Sequence, residues 1–94
     1  MDIAQTITAL KKAEEILANL ADFTFDAQHT ATENLAKELG LSNGQLFGTL
    51  RVAVTGQQIS TPVFETMEIL GKEISLDRIQ LAINSLDNSE QKAS

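Results

Sequence analysis

Between Glu38 and Glu65 the chain carries a single charged side chain, Arg51, whereas acids and bases alternate freely elsewhere. A guanidinium is planar, always charged and rich in donors, so it can read a planar edge or stack on a face. Set among neutral hydrogen-bonding groups, Arg51 suits recognition of an uncharged planar ligand better than a general grip on polyanions. The charge pattern taken alone favours a simpler role: a border arginine bridging to a carboxylate of a neighbouring helix. Surface pairs of that kind are common and weak.

A second feature follows at Thr61-Pro62-Val63. A hydroxyl followed by proline reads as a helix start, with Thr61 as N-cap and Pro62 in the first turn. An open helix N-terminus also offers backbone N–H groups to an acceptor. Catalytic groups are scarce. His29 is the only histidine and cysteine is absent, so no nucleophile has an evident base. His29 falls away from the stripe Ala31, Leu35, Leu39 and reads as an exposed helix residue. Glu14-Glu15 and the pair Glu65 and Glu68 have the spacing of solvated helix faces and could hold a cation only loosely. Gly44-Gln45-Leu46-Phe47-Gly48 lacks the lysine and the preceding strand of a phosphate loop.

The elements that must position these residues fit one domain of 94 residues. A chain of this length can bury a core without covalent staples. The lack of cysteine excludes disulfides and thiolate metal sites and fits a reducing compartment. No apolar run approaches a membrane span, and no basic segment precedes an apolar one as in a secretory signal. The expectation is a soluble cytoplasmic chain without a membrane partner. A formal net charge of −6 argues against broad binding to DNA or RNA phosphates. It leaves room for a few local base contacts, and its simplest meaning is solubility.

Helical periodicity runs through most of the chain. Asp2 and Gln5 form a candidate capping box before a face of Ile3, Leu10, Ala13, Leu17 and Leu20. A second helix starts after Thr24 or Asp26 and stops at Gly40. Ser42 caps a third segment, which is ambiguous: Leu46, Phe47, Leu50, Ala53 and Val54 share a helix face, while Leu50, Val52 and Val54 alternate as in a strand. Helix is preferred, because no other segment could satisfy the backbone groups of a strand. Arg51 then lies about a quarter turn from the apolar centre. Gly56 closes this helix. A fourth helix buries Val63, Phe64, Met67 and Leu70 and stops at Gly71. A fifth buries Leu76, Ile79, Ala82, Ile83 and Leu86. The expected fold is all-α, a compact bundle of about five short helices over residues 1–86. Residues 87–94 have little apolar content and form a frayed tail.

The segments Leu50-Arg51-Val52-Ala53-Val54-Thr55-Gly56, Ser60-Thr61-Pro62, Leu70-Gly71-Lys72-Glu73 and Arg78-Ile79 together resemble the C-terminal anticodon-binding region of bacterial glutamyl-tRNA synthetase, a class I enzyme. Leu20-Ala21-Asp22-Phe23-Thr24 and residues 39–47 fit the same pattern, so the resemblance covers roughly residues 10 to 86. It implies an all-α anticodon-binding subdomain whose partner is the anticodon loop of tRNA. It implies contacts from Arg51, Thr61 and Pro62, with Val63 packed beside them. Anticodon bases are unstacked and are read by hydrogen bonds and stacking. The HIGH-like and KMSKS-like signatures of the catalytic domain do not occur in the sequence. The resemblance therefore implies a recognition piece without catalysis or cofactor of its own, from a parent that ligates glutamate to tRNA with ATP and magnesium. The alternative is a stand-alone all-α module that binds protein partners and has no tRNA role.

Overall fold

Local caps set most of the helix boundaries in the computed structural model, which describes residues 2–56 and 62–93, with side-chain surroundings through Asn88. Asp2 accepts the Gln5 N–H at 2.7 Å while the Gln5 side chain accepts the Asp2 N–H at 3.3 Å. This capping box opens α1 (Ile3–Ala18). Thr24 accepts from the Ala27 N–H and opens α2 (Phe25–Leu39), which ends at left-handed Gly40. A second capping box, Ser42 with Gln45, opens α3 (Asn43–Thr55). The ambiguous segment is thus helical, and its Gly56 terminates it at φ +76°. Then come α4 (Val63–Leu70) and α5 (Lys72–Ala93), joined through Gly71 alone. Helical backbone in α5 continues past Leu86, where the inward apolar positions stop.

The start of α4 is one residue later than expected. Pro62 occupies the N-cap position, with ψ 107°, and helical geometry begins at Val63. The extended ψ keeps proline outside the helix, yet its carbonyl already accepts from the Thr66 N–H at 3.0 Å. Pro62 supplies no capping side chain. Thr61, expected to supply that hydroxyl, lies outside the described residues.

The core joins all five helices. Leu10 and Leu17 of α1, Leu46 and Leu50 of α3, Met67 of α4 and Ile79 of α5 are fully buried, and Leu35 and Ala36 bring in α2. Each large side chain removed from water contributes about 1.5–3 kcal/mol. Two faces differ from expectation. Ile3 remains 41% exposed at the outer end of α1, where Ile7 and Ala9 take the inward positions. In α2, Gln28 and Thr32 are buried beside Leu35 and Ala36, while Ala31 and Leu39 are only partly covered. Thr32 Oγ1 donates to the Gln28 carbonyl at 2.7 Å, and Gln28 Nε2 donates to the Phe23 carbonyl at 3.0 Å. Those bonds lower the cost of burying polar groups.

Side chains of α4 and α5 also cap the three earlier helices. Lys72 Nζ donates to the Ala18 and Leu20 carbonyls at the end of α1. Arg78 Nη1 donates to the Val54 carbonyl at the end of α3, at 2.9 Å. Glu68 accepts the Phe25 N–H at the start of α2. Each charge has the sign that the helix terminus favours. Among the described residues, no helix is long and apolar enough to cross a membrane.

Candidate nucleic-acid interface

The last turn of α3 is held rigidly around Arg51. The Arg51 carbonyl accepts from Thr55 Oγ1 at 2.6 Å, the Val52 carbonyl accepts from the Gly56 N–H at 2.7 Å, and the Val54 carbonyl takes Arg78. Carbonyls in a final turn lack intrahelical partners and need such donors. Leu50 and Val54 point into the core on either side, which leaves Arg51 half-buried at its border.

The start of α4 is fixed by the same packing. Val63 is only 3% exposed and belongs to the core with Phe64 and Met67. Its side chain anchors the first turn rather than facing solvent. Pro62, one residue earlier, is exposed. Helix α4 packs against α3, α5 and α2. The segment that carries Arg51 and the start of α4 are thus parts of one packed assembly.

Beside this edge lies a feature the sequence reading missed. Phe25 and His29 stack with ring centroids 5.8 Å apart and an interplanar angle of 14°. His29 also meets Phe47 of α3 at 5.3 Å and Phe64 of α4 at 5.4 Å. Phe64 sits edge-on to Phe47 at 4.9 Å and to Phe25 at 5.9 Å. Edge-to-face pairs of this kind stabilise beyond their buried area. His29 is therefore not an isolated surface residue: it is held in a four-ring cluster, and its Nδ1 lies 3.6 Å from a Glu33 carboxylate oxygen. The i,i+4 spacing of Phe25 and His29 was a visible signal. Their partners on α3 and α4 were not.

Glu68, read as a surface acid that could loosely chelate with Glu65, instead caps α2. Among the described residues, no group of three or more His, Asp and Glu converges where a metal ion could be held. A groove of about 540 Å³ runs between α1, α3 and α5, lined by residues that include Leu10, Gly48, Val52, Ala82 and Leu86. It contains no charged side chain and does not include Arg51 or Pro62. The concavity and the expected contact residues are therefore separate features of α3.

The helical bundle matches a known class. The chain belongs to the anticodon-binding domain family, whose model matches residues 1–83. Among individual relatives, it is 44% identical over 86 residues to a glutamate–tRNA ligase of Roseiflexus castenholzii, covering 92% of this chain and 17% of the relative. Identity is 40% over 87 residues to that of Chloroflexus aurantiacus, covering 93% and 17% respectively. It is 48% over 82 residues to one from Dehalococcoides mccartyi, covering 87% and 17%. The chain thus spans about one-sixth of the length of these relatives. No solved structure gives a significant match.

Proposed function

We propose that this chain is the anticodon-reading domain of a glutamyl-tRNA synthetase and that its partner is the anticodon loop of tRNA. The observation that carries this reading is the family match over residues 1–83, together with relatives named glutamate–tRNA ligase at 40–48% identity. In that reading the Arg51 guanidinium takes a base edge, since a planar fork matches paired acceptors. Exposed Pro62 at the start of α4, with Thr61 before it in sequence, supplies the neighbouring contact, and buried Val63 holds that turn in place. The ligation of glutamate to tRNA with ATP and magnesium belongs to other parts of such an enzyme, working in the cytoplasm. Among the described residues, no group of His, Asp and Glu side chains fits a metal ion.

The electrostatics define the division of labour. A chain of net charge −6 cannot draw on many phosphate contacts, which dominate nucleic-acid affinity. By itself it binds RNA weakly and acts as a selector within a larger contact. A filter-binding titration of a synthetase carrying this domain tests the reading. Arg51→Ala weakens tRNA binding by about 1–3 kcal/mol if Arg51 reads a base. Unchanged affinity and charging would remove that role. A pull-down that recovered a protein partner but no tRNA would favour the interaction-module alternative.

A further inference from the structure

The four-ring cluster has an open side. Phe25 is 36% exposed and the His29 side chain 38%, whereas Phe64 beneath them is buried. The two outer rings are nearly parallel, at 14°; Phe64 meets both edge-on and Phe47 meets His29 at a tilt of 60°. Phe47 lies one helical turn before Arg51 on α3, and Phe64 lies two residues after Pro62. The rings therefore adjoin both parts of the Arg51 edge. Oriented, partly exposed rings next to a guanidinium are what unstacked bases require, because every base has a π-face and stacking tolerates sequence.

We propose that Phe25 and His29 form a stacking platform for an unpaired RNA base adjacent to the one met by Arg51. The inference rests on the anticodon-reading function above and extends it to residues on α2. The acids around the platform shape what it accepts. Glu33 lies beside His29, Glu68 binds the Phe25 N–H, and Asp26 follows in the first turn of α2. These charges repel phosphates, so the platform takes the neutral face of a base while the sugar–phosphate chain passes outside it.

The test uses this chain and an anticodon stem-loop RNA carrying a fluorescent adenine analogue at each loop position in turn. Stacking on the platform quenches the analogue at one position. Phe25→Tyr retains quenching and affinity. Phe25→Leu keeps an apolar side chain but loses the quenching and binds roughly five- to a hundredfold more weakly. His29→Leu, read by the same quenching, gives an independent answer should Phe25→Leu melt early. If Arg51→Ala weakens binding while both leucine variants leave binding and quenching intact, the platform is wrong and the anticodon reading stands. If Arg51→Ala and both leucine variants all leave binding and quenching intact, both fall.

Discussion

Arg78 of α5 closes the end of α3: its Nη1 donates to the carbonyl of Val54 at 2.9 Å, across 24 residues of sequence. Helix α3 has no basic residue in its own last turn, so α5 supplies the positive charge that the helix terminus favours. The contact lies one turn from Arg51, so it helps tie the proposed recognition edge to the core.

Removing that link has a local cost. Arg78→Ala is expected to destabilise by about 1–2 kcal/mol, the range for a partly exposed hydrogen bond to a charged donor. A urea melt reads this as a lower midpoint at unchanged slope. Amide exchange accelerates in the last turn of α3 and not in α1. Arg78→Lys recovers part of the loss.

Gly56 offers a cleaner backbone experiment. It sits at φ +76°, and a Cβ there meets no heavy atom within 4 Å. The penalty of Gly56→Ala is then conformational alone, about 1–2 kcal/mol for a left-handed non-glycine residue. Gly56→Asn costs less, since asparagine tolerates that region better. Thermal melts that rank alanine above asparagine would contradict the terminator role.

Leu50 tests the facing of α3. It is 0% exposed in the shared core, so Leu50→Ala should lower stability by about 2–5 kcal/mol in a denaturant melt. A neutral result would mean that α3 presents another face to the core and that Arg51 is not at its border.

What the sequence revealed was mostly local. Asp2 with Gln5, Ser42, Gly40 and Gly56 are read within a few residues of where they act and bound helices as expected, and of the two candidates Thr24 and Asp26 it is Thr24 that caps α2. The helical state of residues 43–55 was also legible, because a lone strand would have had no partner. Interactions across elements were hidden. Nothing near Glu68 or Arg78 in sequence marks them as caps for α2 and α3. Counting only apolar residues put Ala31 on the inner face and overlooked Gln28 and Thr32, whose Nε2 and Oγ1 groups donate to nearby backbone carbonyls. A helical wheel gave His29 an angle but not the rings of Phe47 and Phe64 that enclose it. At the candidate site, Arg51 stood out through the missing charges around it, and the aromatic cluster beside it left no comparable mark.

The most direct test of the central claim is an amide NMR titration of the isotope-labelled chain with the anticodon stem-loop of glutamate tRNA. Shifts confined to the Arg51 turn of α3, the first turn of α4 and the Phe25–His29 turn of α2 are expected, and Arg51→Ala should abolish them while leaving the rest of the spectrum in place. Shifts elsewhere on the bundle, or a titration unaffected by Arg51→Ala, would contradict the account.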